Sequence, residues 1–465
     1  MTARLLVADF VLTLHGPGEV IERGAVCVVG DSIAAVGTAS ALKAAYPDAQ
    51  IIDLPRRLLM PGLINAHCHS GLLRGTAEGL PLWDWLRLYI DPMHRVLQPH
   101  EAEIASWLCY AEAVLSGTTT VVDMWRFMDG SARAAAALGN RVIMVPYVGE
   151  RPGYDYFDTL DDNERLIETW QGKANGRIMP WVGIEHLFYA DEDGYARAAA
   201  MAQRYRTGFH THSNESQADV VEMTKRFGLR PIQLLERHGL LEPATVLLAH
   251  CVWLDDAEIE ILSRRRIGVA HNPTSNMKLA SGAAPVERLL QAGVAVGLGS
   301  DGEKENNNLD LFEEMKIASL LAKLARMDAA ALDSWDVLRM ATISGARAVG
   351  LEGSLGSLAP GKKADVIAVR LDTPRMTPIV TGELFNLHHN LVHAVQGGDV
   401  DLTMIDGEIV VQEGVLRTAR LDEIIAEAQA AAPGLFERRR RYLAAHAEGE
   451  LSPIAHGAAS GLEQP

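Results

Sequence analysis

Residues 61–75 read PGLINAHCHSGLLRG, a short apolar segment that ends on two histidines one residue apart, His67 and His69. Side chains alternate between the two faces of an extended strand, so these imidazoles point the same way and can converge on one atom. Pro61-Gly62 punctuates the chain in front, and Gly71 and Gly75 mark a loop behind. The segment reads as a buried strand with a paired nitrogen donor at its C-terminal end.

Counting from LLMPGLINAH (58–67), seven more segments of this kind follow: TTTVVDM (118–124), RVIMVPYV (141–148), PWVGIEHL (180–187), GFHTH (208–212), TVLLAH (245–250), IGVAHN (267–272) and VAVGLGSD (294–301). Each is separated from the next by a helical stretch, such as HEAEIASWLCYAEAVLSG (100–117), SQADVVEMTKRFG (216–228) or DDAEIEILSRRR (255–266). Eight buried strands alternating with helices predict an α/β fold, a closed (β/α)8 TIM-like barrel at 59–355. An open Rossmann sheet is disfavoured, since no GxGxxG follows the first strand.

Both ends of the chain have another texture, strand-like and punctuated by Gly: LLVADFVLTL (5–14), GAVCVVGDSIAAVG (24–37), then KKADVIAVRL (362–371) and VDLTMIDGEIVVQEG (400–414). They predict one small β-sandwich domain assembled from both termini, with parts at 1–58 and 356–416. Residues 417–451 read as a C-terminal helical segment, with the Arg438–Arg441 run on a solvated face, and 452–465 as a disordered tail.

A net charge of −17 argues against nucleic acid or an anionic membrane surface as partner, because phosphates call for clustered Lys and Arg. The expected partner is a small molecule that is not strongly anionic. Four scattered Cys in 465 residues make no disulfide framework, which fits a reducing cytoplasm. No run reaches transmembrane length and the N-terminus lacks the order of a signal peptide, so no membrane role is expected.

In a parallel barrel the chemistry sits at the C-terminal strand ends. The polar residues collected there are His67, His69, His186, His212, His250, His271, Asn272 and Asp301. A lone histidine is usually a satisfied polar residue, and His94, His100 and His388 are read so. The His67–His69 pair joined by acceptors on three other strands is different. With His212 and Asp301 it makes a site for one divalent cation that keeps a position for water. Zinc is the default, with iron, cobalt and manganese chemically admissible. On strand five His210 shares a face with His212; His212 is preferred because it lies nearer the strand end and is followed by Glu215. That carboxylate is either a proton carrier beside the metal or a first-turn residue favoured by the helix dipole.

These residues bring a family into view. The chain resembles the amidohydrolase superfamily, in its cytosine-deaminase and chlorohydrolase branch that includes S-adenosylhomocysteine deaminase-like proteins. The resemblance runs over nearly the whole chain: PGLINAHCHSGLLRG, HSNE (212–215), LLAHCV (247–252), AHNPTSNMKLASGAAP (270–285), GLGSDG (297–302) with NNNLD (306–310), and GSLAPGKKADVIAV (356–369), in order. It implies His67, His69, His212 and Asp301 as metal ligands, Glu215 as proton shuttle, His250 as a polarising residue outside the metal shell, and Asp301 as a second proton acceptor. It also implies a homodimer or larger homo-oligomer. Two departures stand out: Glu185-His186-Leu187-Phe188-Tyr189 lacks the Pro of the branch's H-x-P-Y segment, and Gly302-Glu303-Lys304-Glu305 is charged where relatives often have small or neutral residues.

The expected activity is hydrolysis by water activated on the metal, most directly deamination of an amino-substituted nitrogen heterocycle with release of ammonia. The alternative within the same machinery is hydrolysis of a chloro- or alkylamino-heterocycle of triazine type, or of a urea, amide or carbamate. A third reading, a non-catalytic barrel scaffold, calls for eroded ligands, and none is eroded. Trp85, His186, Tyr189 and Asn276 are the candidate substrate contacts, Trp85 with barrel-top packing as an equal alternative. The 303–305 segment reads either as a selective pocket mouth or as a solvated loop.

Overall fold

A computed structural model describes residues 2–16 and 18–452. The eight predicted segments are strands: Leu63–Cys68, Thr118–Trp125, Arg141–Pro146, Ile178–Pro180 continued by Val182–His186, Phe209–Ser213, Val246–His250, Gly268–His271 and Ala295–Leu298. All pair in parallel. The fourth is broken at Trp181. Its first piece pairs with strand three and its second with strand five, while Trp181 N donates to Met144 O at 2.8 Å across the break. The ring closes where Asp301 N donates to His67 O, 3.0 Å, linking strand eight to strand one. Nearly every strand residue is buried, as parallel strands under a coat of helices must be. A Cβ on Gly299 would lie 2.2 Å from Asn272 Oδ1 and 2.9 Å from His67 O, so only glycine lets strands one, seven and eight close here.

Strands from both termini join in one nine-stranded sheet, in which Gln50–Pro61 lies between Arg4–Leu12 and Val366–Arg370. The sheet curls over: Ala364 N donates to Asp31 O and Ile33 N to Lys362 O, both 2.8 Å. Leu6, Val26, Val28, Leu59, Val366 and Met404 fill the core this creates. Gln50–Pro61 leads through Gly62 straight into barrel strand one, and buried Arg141 of strand three bridges Asp365 and Asp406. The β-rich part is thereby fastened to the barrel.

The C-terminal helix, Leu421–Ala445, packs against helices Asp91–Val96 and Pro99–Leu115. Only half of the Arg438–Arg441 run is solvated. Arg440 and Arg441 pair with Glu437 in water, whereas Arg438 Nε donates to Val96 O at 3.0 Å and its guanidinium engages buried Glu101. Arg439 donates to Leu88 O and covers the Tyr89 ring at 4.5 Å. Ser452, first residue of the expected disordered tail, is buried and donates to Asp91; residues 453–465 of that tail lie outside the described residues. Among the described residues no helix is long and apolar enough to cross a membrane.

Candidate active site

Strand register levels the strand ends: His186 pairs with His212, and Ser213 with His250. Left-handed backbone clusters just beyond them, at Asn214, His250, Cys251 and Asp301 (φ 53°, 71°, 49° and 59°), a strained geometry that gathers at functional sites. The ligand atoms of His67, His212, His250 and Asp301 all lie within 4.8 Å of one another. His69 joins them, its Nε2 3.1 Å from Asp301 Oδ1 and 3.3 Å from His212 Nε2.

Each imidazole spends its other nitrogen on a fixed partner. His69 Nδ1 donates to Met124 O (2.7 Å), His212 Nδ1 to Glu185 O (2.6 Å), and His250 Nδ1 to Asn276 Oδ1 (2.9 Å). His67 Nδ1 meets His210 Nε2 at 2.8 Å, and His210 Nδ1 in turn meets Leu247 O at 2.8 Å. Since a carbonyl only accepts, His210 carries its proton on Nδ1, its Nε2 accepts from His67, and His67 Nε2 is left bare. Both nitrogens of His210 are thus engaged away from the cluster. His67 Nε2 is buried with no hydrogen-bond partner. Burial pushes the His67 and His212 pKa values well below the ordinary imidazole range, holding both neutral. On His69 burial and Lys304 act downward, but the Asp301 carboxylate prevails and raises it. Buried Nε2 atoms converging on a carboxylate form a donor set that fits a divalent cation, and the donor chemistry of three imidazoles with one carboxylate suits zinc.

Beside this cluster Glu215 is buried, with Oε2 3.3 Å from His186 Nε2 and 3.7 Å from His250 Nε2. It precedes its helix: Ser216 is the N-cap of Gln217–Phe227 and shares a capping box with Asp219, so the dipole alternative loses its footing. Burial pulls the His186 pKa down, but flanking Glu185 and Glu215 outweigh it and raise it well above the usual value. Its ring stacks on His212 at 4.3 Å.

Of the four expected substrate contacts, Asn276 spends its Oδ1 on His250, and Tyr189 turns its hydroxyl toward Asp91, 3.5 Å away. Trp85 is buried in a helical stretch, Leu82–Val96, that passes through one π turn and roofs the site. Glu303–Asn306 is a short buried helix, so the solvated-loop alternative fails. His94, read as an ordinary satisfied residue, is buried with Nδ1 unpartnered and packs on Tyr147 and Trp125. Sequence reasoning also passed over Tyr147, whose hydroxyl lies 3.0 Å from His69 Nδ1, and Asp123, which accepts from Ser70 and Tyr110. Both sit at the ends of strands two and three, where the rule that collected the histidines would have found them.

Comparison with known proteins gives the same picture. The model of the amidohydrolase family matches residues 58–410, and that of an imidazolonepropionase-like composite domain of bacteria matches 24–49. A 5-methylthioadenosine/S-adenosylhomocysteine deaminase of Pelotomaculum thermopropionicum is 39% identical over 93% of this chain and 99% of its own. A 5'-deoxyadenosine deaminase of Methanosarcina mazei is 38% identical over 92% and 97%. Among solved structures, a zinc-bound adenosine deaminase of Xanthomonas campestris superimposes with a TM-score of 0.87 at 29% identity, covering 95% of this chain and 99% of that one. An atrazine chlorohydrolase of Arthrobacter aurescens, complexed with zinc, shares the fold at a TM-score of 0.82 and 24% identity, over 92% and 99%. With a barrel of this topology, a histidine and aspartate cluster at its strand ends and a family match across well over half its length, the chain belongs to the amidohydrolase family.

Proposed function

We propose that this chain is a metal-dependent aminohydrolase that removes an amino group, as ammonia, from a nitrogen heterocycle. The observation that carries the reading is the set of buried Nε2 atoms gathered on Asp301, that of His67 without any hydrogen-bond partner, with the Glu215 carboxylate alongside. His67, His69, His212 and Asp301 would hold one divalent cation, with zinc the first choice. When bound, such a cation supplies Lewis acidity and brings the pKa of water toward neutrality.

The protein's own groups do the rest. Glu215, poised between His186 and His250, takes up one proton from the attacking water at Oε2 and passes it to the ring nitrogen, and then carries the water's second proton, released by the new oxygen, to the departing amine. Amine loss needs that proton, since ammonia and not amide ion must leave. His250, with its Nδ1 proton fixed on Asn276, presents an unprotonated Nε2 toward the reacting carbon's new oxygen and accepts a hydrogen bond from it. His210 orients His67. The roof of Trp83 and Trp85 keeps bulk water out. The relatives' names support loss of ammonia over loss of chloride, since relatives at 36–40% identity are named deaminases.

The test is metal analysis of the purified protein together with ammonia release from a panel of aminopurines, pterins, aminopyrimidines and aminotriazines. Near one equivalent of divalent metal and ammonia from at least one compound are expected. Chloride or alkylamine release without ammonia would replace this reading with the triazine-hydrolase one. Cytoplasmic location and a homo-oligomeric state complete the proposal, the latter testable by light scattering.

A further inference from the structure

Two of the three charged residues after Gly302, Lys304 and Glu305, turn inward over the candidate metal cluster. A Cβ on Gly302 would lie 2.2 Å from Glu305 Oε2, 2.9 Å from Lys304 Nζ and 3.0 Å from His69 Cβ, so both side chains fold across the glycine against His69. The Lys304 side chain is 0% exposed and that of Glu305 4%. Lys304 Nζ stands 5.8 and 5.9 Å from the ring centroids of Trp85 and Trp125. Glu305 shares a possible ligand cluster with His69 and Asp301. Glu303 is used otherwise: its Oε1 accepts from Leu73 N at 3.0 Å and pins the start of the loop that leads to the roof.

An ammonium and a carboxylate are costly to bury, and their mutual contact, Lys304 Nζ to Glu305 Oε1 at 2.9 Å, only partly offsets this. Lys304 Nζ makes no well-directed hydrogen bond, and Glu305 Oε2 has no partner among the described residues. Spare donor hydrogens and a spare acceptor oxygen therefore sit side by side, under two tryptophans and next to the metal cluster. A purely structural ion pair would be expected to use these positions.

We propose that Lys304 and Glu305 read the substrate ring, and that the ring they fit carries an oxo group next to an N–H, the edge of a lactam. Lys304 donates to the oxo oxygen and Glu305 Oε2 accepts from the adjacent N–H. The proposal rests on the aminohydrolase reading and narrows it: an amino-heterocycle without an oxo group leaves the spare hydrogens of a buried ammonium without an acceptor, which is how a polar pocket rejects an analogue. The pair would act as a specificity determinant, without a part in proton transfer.

The test uses the metal-loaded full chain and matched compounds: guanine against 2-aminopurine for ammonia release, and hypoxanthine against purine for binding, read by quenching of tryptophan fluorescence. The expected result is a preference for the oxo member of each pair that shrinks 30-fold or more in Lys304→Met, with metal content unchanged. Lys304→Met/Glu305→Gln, which strands no charge, replaces the single variant if that one fails to fold, and should show the same loss. A preference that survives in the folded variants, or activity and binding that fall in equal proportion for both members, overturns the assignment. If no compound loses ammonia yet the binding preference exists and vanishes with Lys304, the aminohydrolase reading fails and this one stands. Ammonia release with no lactam preference gives the converse.

Discussion

The floor of the site is made of strand ends, where His69, His212 and His210 each give one nitrogen to a carbonyl that the strand ladder already fixes: Met124 O, Glu185 O, Leu247 O. Its roof is made of helices, Leu82–Val96 and Glu303–Asn306, held by side chains from far along the chain, among them Arg438, Arg439 and Glu448. A strand end has little freedom, so floor geometry is set once the barrel closes. The Leu82–Val96 part of the roof is set by partially exposed ion pairs and apolar contact, which are worth less individually and can be loosened one at a time. The comparison predicts that floor variants lose chemistry outright, while roof variants lose stability and tune the chemistry.

The largest effect belongs to the floor. His69→Ala removes one proposed ligand and leaves Asp301 and His212 facing each other across a gap, so metal content should fall below a tenth of wild type. Turnover should drop about 10³-fold or more, the worth of several kcal/mol of Lewis-acid stabilisation. Inductively coupled plasma analysis and kinetics on the same preparation check both. A variant with full metal and full turnover would break the comparison at its base. Next comes Glu215→Gln, which keeps size and hydrogen bonding but cannot carry a proton. Metal should be retained while kcat falls about 100-fold or more. Near-normal kcat would hand the protons to Asp301 alone.

A smaller effect is expected one layer out. His210→Phe keeps a planar ring in place but leaves the His67 Nδ1 proton and the Leu247 carbonyl without their imidazole partner. Metal affinity should weaken about 10- to 100-fold, the usual cost of losing a partner that orients a ligand. Competition with a chelator measures it. Complete metal loss would instead make His210 a ligand and displace His212.

How much of this was legible in the sequence follows the same division. Strand periodicity and strand-end position found His67, His69, His212, His250 and Asp301, since period two dictates where such side chains point. They left His210 against His212 open on spacing alone; what separates the two is a tautomer chain through His67 that only the folded geometry supplies. The roof was read poorly. Glu303–Glu305 and the Arg438–Arg441 run are charged, and charge on its own leaves the first between a pocket mouth and a solvated loop and sends all of the second to solvent. Their burial depends on partners up to several hundred residues away, Leu73 for Glu303 and Glu101 for Arg438. Asn276, taken for a substrate contact, is drawn to His250 by a loop whose path no local pattern encodes.

The smallest predicted effect is the sharpest test of the roof, because it asks whether the C-terminal helix matters to chemistry at all. Arg438 is about a third exposed, but the Glu101 carboxylate it meets is 1% exposed and also caps Gln98 N at 3.0 Å. Arg439 bonds Leu88 O and lies on Tyr89, inside the π turn of the roof. Replacing both with Ala strands a buried carboxylate and frees one edge of the roof, while nothing in the floor changes partner. The loss of stability should be about 1–3 kcal/mol, discounted toward the lower end because Arg438 keeps contact with water. Melting should come a few degrees lower, about 2–4 °C for a large domain. Metal content should be unchanged, kcat/KM should fall less than about tenfold, and amide exchange should quicken in residues 82–96 ahead of the strand ends. Faster exchange at the roof with intact metal would confirm that the two layers are held independently. Metal loss, or exchange that quickens equally in roof and strands, would mean that roof and floor open as one unit, and the division between them would have to be abandoned.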